Sequence, residues 1–284
     1  MYSCKFISEN GTVFLLDTAN NIVFDIDGLS GISVNHTMSQ GALQIGESIS
    51  TKSVGSKSLT GTGVIFKNIA ETKKQMRKVF APFVTGKLIF NNEYFINVSV
   101  KDAPTFSPIA NRGNFTMRLI APYPFFKKME AKTNLIGGVV KKFRFPINYS
   151  TPHKFAERSN IRYINVYNDS DVETDFKLTI QTDSVSNNPY ITNLNTFETL
   201  KINRTIYQGE KIEVYRNVDG VLEVDLVDEN GNSTNIFANL DEKSDLFVMH
   251  VGDNLILSSD DDGGATLTTY ITFNEIVVGV FDEN

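Results

Sequence analysis

The chain contains no tryptophan, one cysteine and three histidines in 284 residues. A lone thiol, Cys4, excludes an intrachain disulfide, so the fold has to stand on packing, and no cysteine chemistry is built around it. His36, His153 and His250 are dispersed and lie in no HExxH or Cys/His pattern, so no zinc site is expected. GxSxG, P-loop and GxGxxG signatures are missing as well. Without tryptophan the largest ring for stacking on a sugar is gone, although ten tyrosines remain. No run nears the roughly 18 apolar residues of a membrane-spanning helix. No basic stretch leads into a signal-length apolar run, so synthesis and folding in a cytoplasm are expected, with no membrane partner. No cofactor is expected.

What is present is an ordinary globular composition, 41% hydrophobic and 21% charged, with an uneven charge distribution. Residues 1–148 hold 18 Lys+Arg against 9 Asp+Glu, whereas residues 149–284 hold 9 against 24. Two electrostatically different halves point to two domains with different neighbours. The cations of the basic half are scattered and form no recognition motif, which favours protein–protein complementarity over nucleic-acid readout.

Most of the chain carries the period of strands. Tyr94, Ile96, Val98 and Val100 alternate with Asn97, Ser99 and Lys101, and follow Lys87–Phe90 across Asn91-Asn92-Glu93, a hairpin signal. Phe115, Met117 and Leu119 alternate with Thr116 and Arg118. One segment has a helical stripe: Met76, Val79, Phe80 and Phe83 within 71–84, with Lys73, Lys74, Arg77 and Lys78 mostly off it and Pro82 set to kink or end it. A helix packed on a sheet with a solvated basic face fits better than a membrane-binding helix. Residues 33–62 are rich in Gly, Ser and Thr, with few large side chains to bury. They read equally as an arm pairing with a neighbouring subunit or as a plain mobile loop.

After about residue 147, short strand-like runs (among them Arg162–Tyr167, Phe176–Thr182, Lys211–Tyr215, Val221–Val227, Leu246–His250, Ala265–Phe273 and Ile276–Phe281) are separated by turn clusters, as in a sandwich or jelly roll. The expectation is an all-β protein with one short helix and two β-sandwich-type domains, 1–147 and 148–284. Asp260-Asp261-Asp262-Gly263-Gly264 lacks the ligand spacing of a calcium loop and reads as a solvated turn. The carboxylates of the second half include no pair singled out by spacing for glycoside hydrolysis. Sequons such as Asn97-Val98-Ser99 read as coincidences in an asparagine-rich chain.

Three places carry a family resemblance. Ser30-Gly31-Ile32 precedes the small-residue segment and Lys57-Ser58-Leu59-Thr60-Gly61, and then the helix. Leu119-Ile120-Ala121-Pro122-Tyr123-Pro124-Phe125-Phe126 ends a strand with two prolines that remove backbone donors and fix an extended path, aiming Phe125 and Phe126 at a docking surface. Gly209-Glu210 and Gly252-Asp253 each precede a short strand. In order, these resemble the distal tail proteins of long, flexible-tailed phages and related prophages. Lys57 stands where the family usually has arginine, Tyr123 where it often has aspartate, and Phe126 where it often has tryptophan.

The resemblance implies a structural, non-enzymatic virion protein at the tail tip. It would form a homo-oligomeric, hexameric ring whose first domain builds the ring and whose galectin-like second domain projects from it. The ring would join the tail tube to baseplate or receptor-binding proteins, and DNA would pass through it without specific binding. Interface candidates are Met38, Leu43 and Ile45 in the arm and Pro122, Pro124, Phe125 and Phe126 at the strand end. Two rivals stand beside this: a carbohydrate-binding module for host-surface attachment, which shares the sandwich fold, and a wall-degrading enzyme, for which no constellation is visible.

Overall fold

The structure is a computed structural model that describes residues 3–109, 112–137, 139–141, 156–158, 161–217 and 220–280. The chain divides into two compact units, Met1–Glu130 with Ile276–Asn284, and Ala131–Glu275. The boundary expected between 147 and 148 lies outside the described residues. The return of the C-terminal segment to the first unit was not expected.

The first unit contains β1 (Cys4–Ser8), β2 (Val13–Leu15), β3 (Ile22–Asp27), β4 (Val34–Ser39), β5 (Ser48–Val54), β6 (Lys57–Ile65), α1 (Ile69–Val79), β7 (Thr85–Phe90), β8 (Tyr94–Phe106), β9 (Asn114–Ala121) and the start of β10 (Phe126–Gly137). Antiparallel pairing runs β2–β1–β7–β8–β9–β6–β3. β8 pairs with β7 from Tyr94 to Ser99, with the start of β10 at Tyr94 and Phe95, and with β9 from Ser99 to Phe106.

The expected alternation holds: Ile96, Val98, Val100, Phe115, Met117 and Leu119 are all buried. The β7–β8 turn is built on Asn91 (φ 50°) and Asn92 (φ 57°), where asparagine tolerates the left-handed region. Helix α1 buries Thr72 and Met76, and Phe80, the buried residue that caps its C-terminus, packs at 4.8 Å from the Phe6 ring. It starts two residues before the expected 71 and ends at Val79 rather than 84. Pro82 cannot donate and disfavours helical geometry at the residue before it, so the chain leaves the helix early. Phe83, expected on the apolar stripe, has φ 69° and is 94% exposed. From the C-terminal segment, Val277 and Val280 pack on this core, and the Val280 N–H donates to the Leu29 carbonyl at 3.1 Å.

The second unit takes the rest of β10, then β11 (Val139–Lys141), β12 (Ala156–Arg158), β13 (Tyr163–Asn168), β14 (Lys177–Thr182), β15 (Val185–Asn187), β16 (Tyr190–Asn193), β17 (Thr199–Lys201), β18 (Thr205–Tyr207), β19 (Lys211–Arg216), β20 (Leu222–Val227), β21 (Ser233–Asn235), β22 (Gly252–Ser259) and β23 (Leu267–Val277) as far as Glu275. One sheet is ordered β10–β23–β14–β19–β20–β21 and a second β13–β22–β16–β17. Leu178, Ile180, Ile212, Val214 and Ile271 of the first share one core with Val166, Ile191, Leu200 and Ile256 of the second.

The runs at 265–273 and 276–281, expected as two strands, form one, Leu267–Val277. Leu246–His250, expected as a strand, contributes only a bridge between Met249 and Thr174. The run of aspartates is less solvated than expected, because Asp260 is buried and its carboxylate accepts from Ser186 Oγ at 2.6 Å and from the Asp262 N–H at 3.0 Å.

Candidate docking surfaces

In the first unit, β4 and β5 pair with each other as a two-stranded ribbon, and every residue of both strands is exposed. Of residues 33–62, all of 33–56 are exposed. The last residues, expected to belong to the same arm, instead run into β6, where Leu59 is fully buried.

The ribbon is two-faced. Residues directly opposite in an antiparallel pair share a face. Val34 opposes Val54, His36 opposes Lys52, and Met38 opposes Ile49, whereas Asn35–Ser53, Thr37–Thr51 and Ser39–Ser48 fill the other face. Strict alternation along β5 would put Ile49 on the polar face. A bulge between Thr37 and Met38 leaves Ser50 as the extra residue and returns Ile49 to the apolar one. At the tip, Leu43 (φ 72°) and Ile45 are fully exposed, held in a loop closed by the Gln44 N–H donating to the Gly41 carbonyl at 3.1 Å. Of the expected candidates, Met38, Leu43 and Ile45 therefore all face solvent. Val34, Ile49 and Val54, not singled out from the sequence, share Met38's face.

The corner after β9 separates its candidates. Pro122 is exposed, Pro124 is buried and Phe125 is half-buried. The Phe125 ring meets Tyr123 edge-on at 5.2 Å, and Lys127 Nζ lies 5.1 Å over the Tyr123 ring. Phe126, expected to point at a docking surface with Phe125, is fully buried and meets Phe90 edge-on at 5.8 Å. Consecutive residues entering a strand point to opposite sides, so the two phenylalanines cannot share a face. Lys57 is also buried. Its Nζ sits 4.7 Å over the Phe126 ring and donates to the Val278 carbonyl at 3.3 Å, and loss of hydration lowers the lysine pKa below its ordinary value.

In the second unit, β13 presents Tyr163 and Tyr167 on one face, each 56% exposed, with Asn165 between them donating to Asp253 at 2.6 Å. His250 lies between two carboxylates, with Nδ1 2.8 Å from Glu173 Oε1 and Nε2 3.0 Å from Glu198 Oε2. These partners are 77 and 52 residues from His250 in the chain, so no spacing rule could have joined them. Among the described residues, no group of three or more His, Cys, Asp or Glu side chains is arranged to hold a metal ion, and no helix is long and apolar enough to cross a membrane.

No protein-family model and no curated protein matches the sequence. Solved structures do match the fold. The crystal structure of the Dit protein of phage SPP1, described as a paradigm of the hub adsorption apparatus in phages infecting Gram-positive hosts, aligns over 96% of this chain and 99% of its own, with a TM-score of 0.65 at 10% identity. A chain of the phage p2 baseplate in its activated conformation aligns over 96% and 98%, with a TM-score of 0.51 at 14% identity. Over nearly its whole length, the chain has the fold of the SPP1 hub protein and of this phage p2 baseplate component.

Proposed function

We propose that this protein is a structural component of a phage-type tail tip, acting by assembly rather than by turning over a substrate. The observation that carries the reading is the full-length fold likeness to a hub protein and to a baseplate chain, neither side of the alignment leaving an extra domain. The expected assembly is a homo-hexameric ring built by the first unit, joined to the tail tube on one side and to other baseplate proteins on the other, with DNA passing through unread. Its place is the virion tail. The exposed β4–β5 ribbon supports the assembly reading: a two-stranded ribbon alone is marginally stable in water, and this one keeps Val34, Val54, Met38 and Ile49 exposed on one face that a neighbouring copy would cover. The charge division gives a second, weaker support. The basic residues 1–148 suit acidic partner surfaces, while the acidic residues 149–284 repel their counterparts on neighbouring copies. Charge-reversed variants that assemble normally would remove that second support.

The test is the solution mass of the purified chain by light scattering, followed by negative-stain imaging of any large species. Rings of uniform size are expected. A chain that stays monomeric at high concentration, alone and with tail-tube protein, refutes the reading.

The carbohydrate-binding alternative keeps one observation of its own, the exposed rings of Tyr163 and Tyr167 flanking Asn165 on β13. Saturable binding on a glycan array, abolished by Tyr163→Ala and Tyr167→Ala together, would favour it.

A further inference from the structure

Three segments of the second unit meet at His250: the loop between β13 and β14, which carries Glu173, the turn between β16 and β17, which carries Glu198, and the segment leading into β22. The backbone there is fixed independently of the ring. The His250 N–H donates to Asn254 Oδ1 at 3.0 Å, and Asn254 Nδ2 returns a bond to the His250 carbonyl at 2.7 Å. Met249 and Thr174 exchange backbone bonds at 2.9 and 3.1 Å. The imidazole is thus held between two carboxylates by a scaffold that does not itself titrate.

A carboxylate accepts but cannot donate, and a neutral imidazole has one N–H. Both ring nitrogens can be bonded at once only when both carry protons. We propose that His250 is a proton-operated clasp, which as imidazolium ties the Glu173 loop to the Glu198 turn and as neutral imidazole releases the Glu173 side.

The asymmetry follows from the surroundings. Glu198 also accepts from Thr196 Oγ1 at 2.6 Å and its side chain is 31% exposed, whereas that of Glu173 is 60% exposed. When one proton leaves, the remaining N–H stays on Nε2 toward Glu198. The Nδ1 lone pair then faces the Glu173 carboxylate, which turns out to solvent. Asp169 and Asp171 also lie on the Glu173 loop, and Asp253, on the histidine's own segment, accepts from Asn165 at 2.6 Å. The two carboxylates raise the histidine pKa above its ordinary value, Glu198 foremost, and this places the release on the alkaline side of the usual histidine range.

The test is an NMR titration of the full chain, following the His250 ring nitrogens together with amide exchange in residues 169–173. Expected are a midpoint above that of an ordinary histidine, an Nε2–H tautomer above it, and a loss of protection in 169–173 across it after correction for intrinsic exchange. Glu173→Gln keeps a side chain of the same size; it is expected to lower the midpoint and flatten the pH dependence of the loop, leaving strand amides protected. A midpoint at or below the ordinary value, an Nδ1–H tautomer, or loop protection independent of pH overturns the proposal.

Discussion

The rings of Phe24 and Phe115 stack 6.1 Å apart, with planes 10° from parallel, across the glycine-containing strand β6. The stack exists because β6 has no side chain beneath it. A Cβ on Gly61 would meet Phe24 Cε2 at 2.7 Å, and one on Gly63 would meet both Phe115 Cζ and the Val23 carbonyl oxygen at 2.6 Å. Phe106 extends the row, tilted on Phe115 at 6.2 Å, and carries Lys73 and Arg77 over its ring at 5.6 and 5.2 Å. The basic helix α1 is thereby anchored to the aromatic row.

Gly63→Ala is expected to lower stability by about 1–3 kcal/mol, because the new methyl group meets a ring and a main-chain oxygen that cannot both retreat. Gly55→Ala is the control, since its Cβ would meet nothing nearer than Asn35 Nδ2 at 3.7 Å. Urea midpoints of the two variants check the contrast, and equal midpoints would show that β6 can shift without cost.

Phe126→Ala is expected to cost about 3–5 kcal/mol, the range for removing a buried phenylalanine, and Phe125→Ala distinctly less. Chemical denaturation of both variants measures the difference. A larger loss at Phe125 would mean that the corner after β9 is packed the other way round.

Lys57 gives a pH signature. Its pKa is lowered in the folded chain, so between the folded value and the ordinary lysine value of about 10.4 the unfolded chain binds more protons. Stability contributed by this group therefore rises with pH through that window. Lys57→Met, which keeps the stem over Phe126 and removes the charge, is expected to flatten the rise. Urea midpoints of wild type and variant at a series of pH values up to the lysine range supply the comparison.

Leu43→Ser combined with Ile45→Ser is expected to leave the melting temperature within about 0.5 kcal/mol equivalent of wild type, since neither side chain is buried in the single chain. On the assembly reading the same pair weakens self-association, seen as a fall in mass by light scattering. Unchanged assembly would move the interface away from the ribbon tip.

Sequence alone decided the all-β class, the β7–β8 hairpin and the core faces of β8 and β9, because period-two alternation and left-handed asparagines act over a few residues. It also exposed the poverty of large side chains that keeps the β4–β5 ribbon out of the core. Tertiary structure alone decided that Ile276–Val280 packs with the first unit, that Phe126 fills a core while Phe125 flanks Tyr123, and that Glu173 and Glu198 bracket His250. Each of these depends on which distant segment becomes a neighbour. A chain of short strands with similar patterns leaves many pairings open locally, and only the burial of all the apolar faces together selects one.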